Sequence, residues 1–596
     1  MKTSLTFVMS SASRFARTIK GEGPMADYTL HPKTDLHVSK KQLVQQFLFF
    51  LKQVKRTDVF ELGGIRGIRE NAKFLKRWGA LEAGNLAISA RKDPDRTALI
   101  DDKGQFTYKE LYDETLRLAH GFQDNGVVAG QNVAVLALNG RDVLLPLFAR
   151  QMVGYHIFMI NANSSGQQIE KVLEFHEITT IIVDSNFYDR LTDKTKATVQ
   201  VIIGYEEDGF SAADEGLKTL QNIIDGASVP ETAYRFGEDN LPKNPPRSVH
   251  VVMTSGTTGM PKGVVRRMLK SPQGVAPALA AYPLHRNMRL LLTSVLFHFY
   301  GWGILVLCLL TTSTIITQRK FDPERVIKEI DKYNIDSWAS AASRLRETCT
   351  YLDNAGIERV NGLDFIISSG SPLMPYEVEE VNSKFGRILA NGYGSTETSI
   401  LAGSSAEELA KDPTLTGTVY PGVRVEIRDE DGNPVPEGES GEVCASTYDM
   451  FAGYTDPKIK MRTVDGMLRM GDKGYFKDGK LYVLGRADDL VITQYGEKIF
   501  PSEIEDLLVR DDRIDDIHVH GVKDPKYGQA LVAYVIRNEG VAPSELTADD
   551  IRATAKAHLS EAHVPRDVFF VESFPRNPMG KVIRHELPDH STAPES

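Results

Sequence analysis

The sequence predicts an α/β protein: a large multi-subdomain N-terminal region followed by a small α+β domain. Three features carry this reading. Short apolar runs rich in β-branched residues, NVAVLAL (132–138), TTIIVD (179–184) and VQVIIG (199–204), alternate with helical stretches, as in a doubly wound parallel layer. At 596 residues the chain exceeds what one core can hold, so it must divide. Beyond residue 490 the pattern changes. SEIEDLLV reads as a helix with Ser502 as its N-cap, DDIHVHGV and ALVAYVIR as strands, and IRATAKAHL as a helix. The expected division is an extension over 1–80, a large domain over 81–485, a junction at 486–490 and a small domain over 491–596.

Composition narrows the class of partner. A net charge of −10 and a pI near 5.9 argue against nucleic acid. Cys308, Cys349 and Cys444 are odd in number and scattered, so they form neither a disulfide framework nor a metal cluster. They read as packing residues in a reducing compartment, which predicts a cytoplasmic protein.

The first 21 residues hold no acid, several serines, and Lys2, Arg14, Arg17 and Lys20. A targeting segment and a start upstream of Met25 explain them equally well. Residues 38–80 are basic and amphipathic. Leu43, Phe47, Phe50, Leu51 and Val54 recur at helical spacing between Lys40, Lys41, Lys52, Lys55 and Arg56. A second helix sets Ile65, Ile68, Ala72 and Leu75 against Arg66, Arg69, Lys73 and Lys76. Such helices fit an anionic membrane surface, and they equally fit docking on the main body.

The large domain opens with a strand, a turn at Asp102–Gly104 and a helix from about Tyr108. Leu290 to Thr317 lacks Asp, Glu, Lys and Arg and is long enough to span a bilayer. Its histidine, glycines and hydroxyls favour a buried strand, a loop and a buried helix instead. Ahead of it stands VVMTSGTTGMPKGVV (251–265), a strand-like lead into hydroxyls and glycines that ends on Lys262. Glycines bring backbone N–H groups against an anion, hydroxyls add donors and Lys262 adds a cation. This is a phosphate-binding loop without the Walker spacing.

TSGTTGMPKG resembles the signature of the adenylate-forming superfamily, which includes acyl-CoA synthetases, amino-acid adenylation domains and luciferases. NGYGSTET (391–398), MGD (470–472) with GRADDLVITQYGEKIFPSEIE (485–505), and PRNPMGKVIR (575–584) follow in the superfamily's order. The resemblance spans roughly 83–587 and implies a mobile C-terminal domain. It implies that Thr254, Ser255, Gly256, Thr257, Thr258, Gly259 and Lys262 hold the β- and γ-phosphates of ATP. Gly370, Ser371 and Pro372 of SSGSPLMP form the adenine-side loop, with Ser371 where Ala or Glu is usual. Tyr393 stacks on adenine, Gly394 belongs to the same ATP-binding block, Thr396 holds the α-phosphate and Glu397 ligates Mg²⁺. Asp472 accepts the ribose hydroxyls, with Met470 where Thr is common, and Arg486 adds a ribose or phosphate contact. Asp488 is the hinge and Lys581 the catalytic lysine.

FHFYGWG (297–303) corresponds to the superfamily's acyl-pocket entrance, where His298 joins an aromatic wall of Phe299, Tyr300 and Trp302. No Asp lies between Arg289 and Arg319 to pair a substrate ammonium, which favours a plain carboxylic acid. The expected reaction forms an acyl adenylate from the acid and MgATP, then an acyl-CoA. The acid is expected to be a medium- or long-chain fatty acid. Four rivals share most of these motifs: a ligase loading a carrier protein, an aryl or short-chain acid ligase, a luciferase-like oxygenase, and a catalytically inert lipid-binding scaffold. Oligomeric state is not legible.

Overall fold

A computed structural model describes residues 40–57, 64–230, 239–254, 261–266, 276–492, 498–524, 528–576 and 580–588. Among them, two large sheets and a smaller one build the N-terminal domain. In the eight-stranded sheet, Asn132–Leu136 is central, flanked in parallel by His156–Met159 and Thr180–Val183. Strands buried on both faces need apolar residues at every position, which is why these runs do not alternate. The helix Tyr108–Asp124 starts where expected, on a capping box between Thr107 and Glu110.

His250–Thr254 joins the same sheet and turns back as Lys262–Arg266, an antiparallel hairpin in which Thr254 faces Lys262. The nine-stranded sheet sets Phe365–Ser369 parallel to Leu389–Ser395. The loops at their carboxyl ends therefore emerge side by side, the usual place for a ligand in a parallel sheet.

Leu290 to Thr317 is a strand (Arg289–Leu292), a loop, the buried helix Phe299–Leu310 and a strand (Thr314–Thr317). No described helix is long and apolar enough to cross a membrane. All three cysteines are buried, and burial raises each thiol pKa.

The small domain has its own apolar core, built from Val491, Ile504, Val519, Val535 and neighbours. Its strands Ile514–Asp524 and Gly528–Arg537 pair antiparallel, and Ala548–His558 is a helix. One local expectation fails. The helix Pro501–Leu508 takes Phe500 as its N-cap, because Pro501 suits the first helical turn. Ser502 lies inside that turn and donates instead to the Leu484 carbonyl, at 3.5 Å.

Both N-terminal helices, Lys40–Thr57 and Gly64–Trp78, pack on the body. Phe50 is buried in the main core, but Leu51, expected on the same face, is exposed. In the second helix the fully buried residue is Trp78, with Phe74 beside it, rather than the expected Leu75 and Ala72.

Candidate active site

The turn after Leu389–Ser395 is tight: a Cβ on Gly394 would lie 2.1 Å from the Ser399 carbonyl oxygen, so glycine is required there. That turn carries Thr396 and Glu397. The Arg266 guanidinium, 2% exposed, donates to the carbonyls of Thr396 at 3.1 Å and Glu397 at 3.4 Å and pairs with Asp449 at 2.6 Å. Phe451 N–H also donates to the Glu397 carbonyl, at 2.7 Å, and Tyr454 donates its phenol to the Glu397 carboxylate at 3.0 Å. The backbone is thus pinned from two sides and the carboxylate is oriented by one hydroxyl.

Strand pairing brings the next group in. Met467–Lys477 and Lys480–Arg486 are antiparallel, with Asp472 directly opposite Arg486. The Asp472 carboxylate accepts from Arg486 at 3.0 Å and from the Tyr393 phenol at 2.6 Å. Burial raises its pKa, while Arg486, Tyr393 and the charge of Lys581 pull it down. Lys581 itself, from the far end of the chain, is exposed. Tyr393, Asp472 and Arg486 thus converge, and the charge of Lys581 reaches Asp472.

The segment bearing Lys581 is seated closely. Gly580 has φ of +79°, and a Cβ there would overlap Ser343 of the large domain. Arg576 donates to the Gly580 carbonyl and pairs with Asp516, which also faces Arg346 of the large domain at 3.4 Å. Asp488 sits exposed in the short 3₁₀ turn Ala487–Asp489, where the last large-domain strand ends, and Arg584 binds its neighbour Asp489 at 2.8 Å.

Thr254 and Lys262 close the neck of the phosphate-loop hairpin, the Thr254 hydroxyl donating to the Lys262 carbonyl at 3.3 Å. Ser255, Gly256, Thr257, Thr258 and Gly259 lie outside the described residues. Gly370, at φ +84°, and Pro372 are exposed beside the Tyr393 strand, and the Ser371 hydroxyl is buried without a partner among the described residues.

The aromatic block divides. Phe299, Tyr300 and Gly303 are the half-buried residues of an otherwise buried helix, and they share one face at spacings of three and four. Tyr300 donates to the Ile367 carbonyl at 2.9 Å, and Arg266 lies 4.4 Å over the Phe299 ring. Among the described residues nothing lies within 4 Å of where a Cβ on Gly303 would be. Trp302 does not belong to this wall. It points into the core and donates to Glu82 at 2.9 Å, within a buried cluster with Arg150 and Gln151. His298 caps the helix by position, with its Nε2 unpartnered among the described residues, and burial lowers its pKa to about 4, which favours the neutral ring.

Between the domains lies a cavity of about 470 Å³ whose lining includes Asn139, Arg190, Thr293, Arg319, Arg576 and Gly580.

Residues 86–455 match the AMP-binding enzyme family, and residues 503–581 match the AMP-binding enzyme C-terminal domain. The chain belongs to this family. A Rhodococcus jostii propanoyl:CoA ligase whose acid carries a methyl-dioxo-octahydro-indenyl group is 28% identical, over 84% of this chain and 97% of its own. A medium/long-chain-fatty-acid–CoA ligase of Mycobacterium tuberculosis is 26% identical over 84% and 88%. A 2-succinylbenzoate–CoA ligase of Bacillus licheniformis is 27% identical over 84% and 98%. Among solved structures, o-succinylbenzoate CoA synthetase of Bacillus subtilis with its acyl-adenylate intermediate superposes at a TM-score of 0.71, with 23% identity over 85% of this chain and 98% of that one. Ligation of an acid to CoA is common to these relatives, whereas the acids differ.

Enzymes of this family use ATP, Mg²⁺ and CoA. The donors present fit such a metal. Among the described residues no three His, Cys, Asp or Glu side chains form a cage. A single oriented carboxylate, Glu397, suits an ion that takes its other oxygens from phosphate and water.

Arg266, Asp449, Tyr454, Asp516 and Arg576 were not legible as site residues. Arg266 is 130 residues from the carbonyl it holds, and no local pattern marks such a pair.

Proposed function

We propose that this chain joins a carboxylic acid to CoA through an acyl adenylate, and that the acid is a medium- or long-chain fatty acid. In the first step an acid oxygen attacks the α-phosphorus of ATP, and pyrophosphate leaves. In the second the CoA thiol attacks the adenylate carbonyl, and AMP leaves. Both steps build negative charge, which preorganised donors stabilise without reorganising.

Tyr393 offers its ring face to adenine, and Asp472, steadied by Arg486, accepts the ribose hydroxyls. Thr254 and Lys262 hold the terminal phosphates at the neck of their hairpin, and Thr396 holds the α-phosphate. Glu397 would hold Mg²⁺, which when bound neutralises phosphate charge. Lys581 neutralises charge between the carboxylate and the α-phosphate. His298, being neutral, adds no charge and orients the acid by contact and hydrogen bonding. For the second step the small domain turns about Asp488. Removing Arg576 and Gly580 from the cavity wall opens a path for the thiol, and Arg190 suits the phosphates that accompany it.

One observation carries the choice of acid. The helix Phe299–Leu310 meets open space among the described residues at Gly303, with the half-buried rings of Phe299 and Tyr300 on the same face. A glycine inside a helix costs about 0.5–1 kcal/mol relative to alanine, so its open side suits a bound chain. Acids of this kind partition into membranes, and work at a membrane surface belongs to the same proposal.

The test is pyrophosphate release over straight-chain acids, with and without CoA. Release should rise towards acids of about twelve to sixteen carbons, since each buried CH₂ contributes roughly 0.8 kcal/mol. Gly303→Phe should shift the optimum to shorter acids. A maximum at acetate or benzoate overturns the reading.

A further inference from the structure

The N-terminal helix Lys40–Thr57 has two unlike faces. Phe50 and Gln53 point inward, and Phe50 shares an apolar core with Leu279 and Tyr282. On the other side Val44, Leu48 and Leu51 are 59%, 61% and 42% exposed. Their spacing of four and three puts them on one stripe, and among the described residues nothing buries it. Large apolar side chains are not left contiguous on a helix surface without a partner.

Charge says which partner. No acid occurs from residue 36 to 57, while Lys40, Lys41, Lys52, Lys55 and Arg56 are cationic, in a chain whose net charge is −10. The adjoining helix Gly64–Trp78 adds Arg69, Lys73 and Lys76, all exposed and at the same spacing. An apolar stripe among lysines meets two demands at once on an anionic bilayer: acyl chains for the stripe and headgroup phosphates for the cations.

We propose that Val44, Leu48 and Leu51 insert into the surface of an anionic membrane, with the cations of this basic segment drawn to its headgroups. The docked helix packs on Ala276–Ala281, which in turn touches the strands Leu389–Ser395 and Ser399–Ser404. Membrane contact is thereby made one helix away from the Tyr393 strand. Resting on the proposed fatty-acid reading, this places the site beside the phase in which its acid is concentrated. The docking itself does not require that reading.

The full chain should co-sediment with phosphatidylcholine vesicles containing phosphatidylglycerol, and not with phosphatidylcholine alone. High salt should release it. The triple variant Val44→Ser, Leu48→Ser, Leu51→Ser should bind at least about tenfold more weakly, as expected for losing three apolar insertions. Its pyrophosphate release with a short soluble acid should be unchanged, which checks the fold. Leu48→Asp, at a position too exposed to affect folding, should weaken binding in the same direction. Wild-type protein that ignores anionic vesicles, or variants that bind as wild type does, overturn the proposal. So does a wild-type dimer that the triple variant abolishes, because a second copy would then cover the stripe. The vesicle assay contains no acid, so its failure is separate from any failure of the fatty-acid reading.

Discussion

Glu397 reaches the site on a turn whose carbonyls are held by a guanidinium only 2% exposed, whereas Lys581 reaches it on a segment held by Arg576, Arg346 and Arg510, exposed to 25%, 20% and 41%. The first set is a buried network inside one domain. The second is a polar seam between two domains: Arg346 and Arg576 on Asp516, Arg510 on Glu379 at 2.6 Å, and Tyr376 N–H on Asp506 at 3.0 Å. Buried pairs are costly to break from one side, while half-exposed pairs are worth about 1 kcal/mol or less each. The difference fits the proposed division of labour. Groups needed in both half-reactions are fixed, and the lysine needed in one sits on a part that can leave.

The largest effect should come from the fixed side. Arg266→Met leaves Asp449 buried without its cation and releases the Glu397 turn. It should cost about 3–5 kcal/mol in unfolding free energy and abolish both half-reactions. Adding Asp449→Asn should recover part of the stability but not the activity, because the carbonyls of Thr396 and Glu397 remain unheld. A stable, active single variant would show that the buried network does not organise the site.

Next comes the movable side. Lys581→Ala should lower adenylation about 10²–10³-fold while leaving thermal stability and thioester formation from pre-made acyl adenylate nearly unchanged. The comparison breaks if both half-reactions fall together.

What could be read in the sequence follows the same line. Tyr393, Glu397, Asp472 and Lys581 stand in short contiguous blocks on loops and strand ends, so the resemblance to the superfamily marks each of them. The groups that hold them do not. Trp302 looked like a pocket residue because its neighbours are aromatic, but its indole finds Glu82 from 220 positions away. Arg266 occupies a strand position that alternation alone would leave undefined. Partnership across such distances is a property of packing, and packing leaves no local period.

Acid should also weaken the large domain. There burial lowers the pKa of His156 and of His176 from 6.5 to about 4. A histidine with a depressed folded pKa binds its proton first in the unfolded chain. Stability is therefore full above pH 6.5 and falls as pH drops from 6.5 towards 4, by about 1.4 kcal/mol per unit for each such group. His156 accepts from Val249 N–H at 3.1 Å through Nδ1, so charging it also costs that bond. Between pH 6.5 and 5 it should cost about 2 kcal/mol. Urea unfolding of His156→Asn at the two pH values should show a correspondingly smaller loss for the large domain. An equal loss would mean the ring is not held neutral.

The smallest effect tests the seam itself. Asp516 accepts from Arg576, and Arg576 donates to the Gly580 carbonyl, one residue before Lys581. Through its other oxygen the same carboxylate faces Arg346 of the large domain. Asp516 is thus a positioning residue: it touches no reacting atom but ties the lysine segment to the large domain in the orientation seen here. Asp516→Asn keeps the shape and weakens both charge-assisted bonds. Since the partners are part-exposed, about 1 kcal/mol is expected, a loss of several-fold in adenylation. Thioester formation requires that orientation to be given up, so it should hold steady or quicken. A purely structural role for Asp516 would slow both half-reactions alike and lower the unfolding temperature of the small domain. Opposite movement of the two rates, with unfolding unchanged, is the outcome that the seam predicts and that no loss of folding can imitate.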